Sequence, residues 1–520
     1  MAAIIIVYFQ SCVMFILLCL FSIFFYSLFF RKPKDSRLDF DLPPSPPSLP
    51  IIGHLHLLLS VLIHKSFQKL SSKYGPFLYL RIFNVPIVLV SSSSIAYEIF
   101  KTHDMNVSFR GLPPIHESLL FGSSTFLMAP HGDYWKFMKK LTVTNLLGSQ
   151  ALERSRGMRA EELERFYSSL LDKAIKSESV EISKEAMKLS NNIIFKMLMG
   201  RSFCWEEDGE VERARGLVIE SFALFKKIFL ATLLRRPLEK FGISLFKQDI
   251  LSVSGRFGEL LERILRKHEE EKPSEQQSAD MMDVLLEAFR DENAEYKITR
   301  KHIKSFLIEL FIAGTDSVGQ TTQWTMAEII NKANILERLR EEIDCVVGNS
   351  RLIQETDLPN LPYLQAVVKE GLRLHPPAPL FLRTFREGCK IGGFYVPEKT
   401  TLVVNAYALM RDPDSWEDPL EFKPERFLAS SILSGQEEER REQALEYIPF
   451  GSGRRGCPGA NLAYVFIGTA VGTMVQCFDW RIKGDKVNME EAVGGMNLAM
   501  AHPLKCIPVA RTPNFLASNL

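Results

Sequence analysis

Apolar and polar positions divide this chain into stretches of very different character. Residues 1–30 carry no charged side chain, and from Ala3 to Phe30 the run is apolar, broken mainly by Gln10, Ser11, Ser22 and Ser27. That length predicts a helix able to span a bilayer. A cleaved secretory signal is the competing reading, but its shorter core, basic start and small-residue cleavage site are not clear here. Arg31, Lys32, Lys34 and Arg37 follow at once, so the positive-inside rule predicts that everything after them lies in the cytosol. Next comes Pro43-Pro44-Ser45-Pro46-Pro47-Ser48-Leu49-Pro50. Proline fixes φ, so this reads as a stiff extended spacer, or else as a polyproline ligand for another domain. The division is an anchor over 1–30, a basic flank and proline-rich hinge over 31–50, and a folded body over 51–520.

Within the body, Phe77–Phe83 and Pro86–Val90 predict two short strands around a turn at Asn84-Val85. Residues 111–130 read as loop, and Trp135 to Lys140 as part of a helix. Helical periodicity dominates from about 150 to 270, and His268 to Asp280 is a polar surface loop. From Thr299 the apolar positions Ile303, Phe306, Leu307, Leu310 and Phe311 predict a long helix. It contains Ala313-Gly314-Thr315-Asp316-Ser317-Val318. A mid-helix glycine costs about 1 kcal/mol, which suggests a function there; a packing glycine at a helix crossing is the other reading. A further helix ends before Pro376-Pro377, and Ser434 to Gln443 is a charged insertion that reads as a mobile loop. Ala460 to Gln476 is nearly all small or apolar and predicts a buried helix. The fold class expected is mainly α with small β-sheets in one large domain, plus one N-terminal transmembrane helix.

Composition narrows the classes. The 520 residues are 46% hydrophobic and 24% charged, as suits a large folded protein. The net charge of +1 argues against a nucleic-acid binder held by charge. Cysteines at 12, 19, 204, 345, 389, 457, 477 and 506 form no CxxC pair and no zinc spacing.

The candidate chemistry centres on Phe450-Gly451-Ser452-Gly453-Arg454-Arg455-Gly456-Cys457-Pro458-Gly459. Pro458 suits the first helical position, which places Cys457 at or beside an N-cap, where orphan N–H groups favour a thiolate. The glycines let the backbone bend and approach a flat ligand. Three readings compete. A buried free cysteine in a tight turn is the plain one. A dinucleotide site is the second, because Gly451, Gly453 and Gly456 spell G-x-G-x-x-G with Asp479 downstream, but no series of βαβ units surrounds it. A haem thiolate ligand is the third.

The third is carried by resemblance. Phe-x-x-Gly-x-Arg-x-Cys-x-Gly, at Phe450, Gly453, Arg455, Cys457 and Gly459, resembles the haem-binding signature of the cytochrome P450 superfamily. Ala313 to Val318 resembles that family's oxygen-binding groove, with Ser317 for the usual threonine and Val318 for the following Thr or Ser. Glu370 and Arg373 resemble its Glu-x-x-Arg pair, with Arg426 of Pro424-Glu425-Arg426-Phe427 as third member; this trio is expected to be structural. Trp135 and Lys139 stand where the family shows Trp-x-x-x-Arg facing a haem propionate, with a solvated basic face as the other reading, and Arg383 matches another propionate position, with a solvated arginine as the other reading. The proline run and Leu374-His375-Pro376-Pro377-Ala378-Pro379 resemble plant microsomal A-type members. The general flavour of the sequence is similar to a crucifer group that includes hydroxylases of the triterpene thalianol.

The resemblance implies haem b ligated by Cys457, with Trp135, Lys139, Arg383 and Arg455 at the propionates and Phe450, Gly453 and Gly459 shaping the loop. Asp316 and Ser317 would relay protons to bound oxygen. The implied partners are O2, the lipid membrane of the endoplasmic reticulum and an NADPH–cytochrome P450 reductase, docked on Lys136, Lys139, Lys140 and Arg454. The implied substrate is a hydrophobic plant metabolite, a triterpenoid first and a flavonoid second. It would meet Leu119, Leu120, Phe121, Leu307, Ile308, Ile312, Leu380, Phe381, Met496 and Leu498, each of which could equally be core. Two alternatives stay open: a reductase-independent haem-thiolate isomerase or dehydratase, and a non-catalytic membrane-tethered haem- or sterol-binding protein.

Overall fold

The longest helix, Arg300–Asn331, is the axis of the structure. Thr299 caps it: its hydroxyl accepts from the His302 N–H, and His302 Nδ1 accepts from the Thr299 N–H at 3.0 Å. Buried residues occur on every side of this helix, Ile303, Phe306, Phe311, Val318 and Trp324 among them, the mark of a core helix. Its two glycines are packing devices. A Cβ on Gly314 would sit 2.3 Å from Ile194 Cδ1, and one on Gly319 would sit 2.4 Å from Met187 Cγ. Both point at the helix Ile182–Met199, so the cost of Gly314 is repaid by close helix approach and not by chemistry at its own Cα.

The computed structural model describes the chain apart from residues 1–14, 23–40, 59–61, 84, 111–117, 121, 123, 201–212, 215, 222–223, 225–226, 228–245, 271–279, 429–444, 494–496 and 512–520. Of the expected anchor, only residues 15–22 are therefore described. They are helical, and Phe15, Leu18 and Phe21 are exposed. Among the described residues, the one helix long and apolar enough to cross a membrane is Ala460–Cys477, and it is buried in the protein body. The charged insertion Ser434 to Gln443 lies outside the described residues. The polar loop after His268 starts later than expected, because the helix Lys247–Glu270 runs through that histidine.

Sheets are small. Phe77–Ile82 pairs antiparallel with Val85–Val90, which lies parallel to Thr401–Asn405, which in turn pairs antiparallel with Leu380–Thr384. The second strand starts at Val85, one residue before the predicted Pro86, and Phe83 takes the turn with φ of 50°. A three-stranded sheet joins Val180–Glu181, Lys505–Ala510 and Phe478–Ile482. The proline run is not a free spacer from Pro43 onward. Pro43 and Pro46 are buried, Tyr79 N donates to Pro44 O at 2.8 Å, and His54 Nε2 lies 2.9 Å from Pro46 O. That part of the predicted hinge is fastened to the first strand.

The helix Pro362–Leu374 carries the ionic trio. Glu370 and Arg373 are both 0% exposed, and their pairing is bidentate at 2.7 and 2.9 Å. Arg373 also donates to the carbonyls of Met410, Pro419 and Glu421. Glu370 further accepts from Arg426 Nε at 3.1 Å and Lys423 N at 2.9 Å. Every valence of a charge pair removed from water is thus met. On the same helix Gly371 lets Thr325 of the central helix approach to 2.3 Å from where a Cβ would be. Arg373→Ala would strip the buried Glu370 of its bidentate partner and leave Arg426 as its remaining charged contact, so it is expected to cost about 3–5 kcal/mol, read as a lowered urea midpoint or failure to accumulate folded protein.

Candidate active site

The cysteine loop is closed by its own backbone. Cys457 N donates to Phe450 O at 2.9 Å, and Gly456 N to Gly453 O at 2.9 Å. Gly453 has φ of 69°, and a Cβ there would lie 2.2 Å from Asp104 Oδ1, so no other residue fits. Asp104 holds Arg454 from both sides, through its backbone N at 3.1 Å and its Nε at 3.3 Å. Phe450 stands edge-on to Tyr464 at 5.2 Å. The following helix begins at Ala460 with Gly459 as its N-cap. Pro458 is therefore in the preceding turn and not at the first helical position, and Cys457 stands three residues before the helix. The helix end does not by itself ionise the sulfur. Burial pushes the Cys457 thiol up, while the Gly459 N–H and the Arg110 charge pull it down by less. The sulfur nevertheless opens onto a space within the protein, since Cys457 is exposed although surrounded by the fold. A coordinating metal would supply the missing pull, because it deprotonates a thiol outright.

Around this space three guanidiniums converge. Arg455 donates from Nε to Ser108 O at 2.8 Å and from Nη2 to Ala129 O. Arg383 donates to Arg455 O at 3.1 Å. Arg110, which sequence reasoning missed, has a buried Nε with no hydrogen-bond partner among the described residues. Burial lowers all three, and neighbouring arginines lower two of them further, Arg383 to about 9 and Arg455 to about 10. Three clustered cations with no directly bonded carboxylate among the described residues are costly. They fit a ligand that brings its own carboxylates. Trp135 lies beneath Arg455, whose Cζ is 4.6 Å from the ring centroid, and stacks on Phe126 at 5.9 Å. Lys139 does not join the arginines: its Nζ sits over the Trp135 ring and donates to Arg454 O at 3.1 Å. It tacks its helix, Asp133–Thr142, to the cysteine loop.

The central helix presents an open face in mid-length. Ala313 is exposed and Ser317 half-buried, one turn apart on one side. Ser317 Oγ donates to Ala313 O at 2.7 Å, Thr315 Oγ1 to Phe311 O at 2.6 Å, and Thr321 Oγ1 to Ser317 O at 2.9 Å. Such back-bonding loosens and bends a helix. Asp316 accepts from Gln320 Nε2 at 3.2 Å and from Asn497 Nδ2 at 2.7 Å. Of the expected apolar contacts, Leu120, Leu307, Ile308, Ile312 and Leu498 are core residues. Leu119, Leu380 and Phe381 are half-buried, and Phe121 and Met496 lie outside the described residues.

Glu309 was also missed, though a lone acid between Ile308 and Leu310 is a legible signal. It accepts from the backbone N–H of Phe126 and Leu127, each at 2.9 Å, and so clips the loop before Trp135 to the central helix. Burial pushes its carboxyl up to about 8 against the pull of those N–H groups, Arg110 and Arg455.

A haem group meets these demands. Cys457 would hold its iron, Arg110, Arg383 and Arg455 its two carboxylates, and the glycine turn would admit its flat ring. A cytochrome P450 family model matches residues 43–505. Cytochrome P450 705A22 of Arabidopsis thaliana is 68% identical over 97% of this chain and 98% of its own length. Cytochrome P450 705A5 of the same plant is 65% identical over 99% and 100%. The 3,9-dihydroxypterocarpan 6A-monooxygenase of Glycine max is 40% identical over 96% and 98%. A zebra fish cytochrome P450 solved with abiraterone superposes with a TM-score of 0.70 at 23% identity, covering 86% of this chain and 99% of that one.

Arg110→Gln removes one of the three cations, and a charged hydrogen bond of this kind is worth about 1.5–3 kcal/mol. Haem retention on dilution, followed by Soret absorbance, is expected to fall roughly tenfold or more. Glu309 keeps its proton in the folded state up to about 8, whereas the unfolded chain loses it near about 4.3. Its contribution to stability therefore falls as pH rises through that window. Glu309→Gln is expected to flatten that fall, measured as unfolding midpoints across the window. With a family model spanning nearly the whole folded body and relatives two-thirds identical end to end, the chain belongs to the cytochrome P450 family of haem-thiolate monooxygenases.

Proposed function

We propose that this monooxygenase is anchored in the endoplasmic reticulum membrane by its N-terminal helix. There it hydroxylates a hydrophobic plant specialised metabolite, a triterpenoid alcohol of the thalianol type first. Electrons come from NADPH–cytochrome P450 reductase. The observation that carries the reading is the acid–alcohol pair Asp316 and Ser317 at the open face of the central helix. Bound haem, with Cys457 as its thiolate ligand, supplies oxygen activation. The Gly459 N–H moderates the negative charge on the sulfur. Arg110, Arg383 and Arg455 orient the ring through its carboxylates. Asp316 gathers protons, and Ser317 passes them toward the open face; between transfers its O–H donates to Ala313 O.

The exposed apolar residues 15–22 and the basic residues after Phe30 support the anchored, cytosol-facing arrangement. The reductase would meet a surface whose cations are partly engaged already: Lys136 with Asp133, Lys140 with Glu295 and Arg454 with Asp104. A flavonoid-like substrate is the second reading, supported by the pterocarpan monooxygenase of Glycine max. The acid–alcohol pair disfavours a reductase-independent isomerase or dehydratase, which needs no proton relay. NADPH consumption separates both readings from a non-catalytic haem- or sterol-binding protein.

Microsomes carrying the full chain are expected to show a strongly red-shifted Soret band when reduced under carbon monoxide, lost in Cys457→Ser. With reductase and NADPH, a triterpene alcohol is expected to gain one oxygen atom while flavonoids do not. Oxidation of flavonoids alone would transfer the proposal to the second reading.

A further inference from the structure

The carboxylate of Asp316 is held in an unusual way. Each of its oxygens receives one side-chain amide, Gln320 Nε2 at 3.2 Å and Asn497 Nδ2 at 2.7 Å. Among the described residues no lysine, arginine or histidine forms an ion pair with it. Gln320 is a neighbour one turn along the same helix, but Asn497 comes from a distant part of the chain. It lies on the returning arm of a hairpin whose arms are joined by Ala492 N to Ala499 O at 2.8 Å and Ala501 N to Glu490 O at 2.8 Å. This hairpin is latched along one face of the central helix. Trp324 Nε1 donates to Leu498 O at 2.9 Å, and Leu504 N donates to Gln323 Oε1 at 3.0 Å. Trp324 is itself fixed by stacking on His375, with centroids 4.2 Å apart and planes at 2°. Positions 316, 320 and 324 follow one another at helical spacing, so the hairpin overlies that row and brings a single amide to Asp316.

We propose that Asn497 is a positioning residue for proton supply: it sets the orientation of the Asp316 carboxylate from the C-terminal hairpin. An amide N–H can donate a hydrogen bond but does not give up its proton. Asn497 therefore fixes Asp316 as an acceptor without competing for the protons it carries. The hairpin is fastened to the central helix beyond this point, through Leu498 O and Leu504 N. The inference rests on the reading of Asp316 as a proton donor under Proposed function, and the test separates the two.

The test needs no substrate. Haem-loaded full-length protein is reconstituted with NADPH–cytochrome P450 reductase, and the superoxide and hydrogen peroxide it releases are measured. Superoxide forms from O2 and one electron with no proton, whereas hydrogen peroxide takes two electrons and two protons, so their ratio reports proton supply. Asn497→Leu, similar in size, loses one hydrogen bond to a charged group, so the ratio is expected to move toward superoxide roughly tenfold. Asp316→Asn is expected to do the same, and the double variant no more than either alone, because the two residues act as a unit. Asn497→Asp sets a second carboxylate against Asp316, so one of the pair holds a proton and the ratio is expected to gain a pH step absent from the unmodified protein. The carbon monoxide band confirms that each variant is folded and haem-loaded. Should Asn497→Leu fail to fold, the Asn497→Asp pH step decides the matter. An unchanged ratio in both Asn497 variants with Asp316→Asn impaired overturns the positioning role alone. An unchanged ratio in Asp316→Asn overturns the relay reading and this inference with it.

Discussion

Burying positive charge without a bonded protein carboxylate is the constraint on which the site depends. Arg110, Arg383 and Arg455 come from three distant segments; burial lowers each, and Arg110 lowers the other two further. Such an arrangement is paid for only by a ligand with its own negative charge. The protein spends backbone carbonyls to fix Arg455, through Ser108 and Ala129, and uses the Arg455 carbonyl to fix Arg383. Backbone carbonyls thus fix Arg383 and Arg455 in position. The same charges reach the sulfur, since Arg110 also pulls Cys457 toward its thiolate.

A second buried charge group answers the opposite need. Glu370, Arg373 and Arg426 satisfy one another and the carbonyls around them. This trio closes on itself and needs no ligand. The contrast between a saturated ionic cluster and an unsaturated one distinguishes framework from site more sharply than burial does, because both are buried.

The central helix serves both. Its glycines turn toward Ile182–Met199 and buy close packing, while the opposite choice of small residue, Ala313, leaves space beside Ser317. Packing on one face and opening on another are local properties of the same two turns. The C-terminal hairpin then reaches across to Asp316, so the residue expected to move protons is held by a part of the chain remote from it in sequence.

The sequence by itself determined the helical class and the long helix from Thr299, which rest on periodicity and capping, and its resemblance to a known family pointed to the trio Glu370, Arg373 and Arg426 and to Cys457 as the ligand. Those signals are local and survive without the fold. It left open what depends on three-dimensional neighbours. Gly314 could be functional or a packing glycine, and its partner Ile194, far off in the chain, decides for packing. The prolines from Pro43 looked like a spacer because their strand partner Tyr79 is not adjacent. Lys139 stood at a motif position, yet only the fold shows it bonded to Arg454 O while Arg110 enters the cationic group. Leu307 and Ile308 read as pocket or core with equal ease, and tertiary packing made them core. Periodicity tells which face of a helix is apolar; only the assembled structure decides whether that face meets another helix or a space for a ligand.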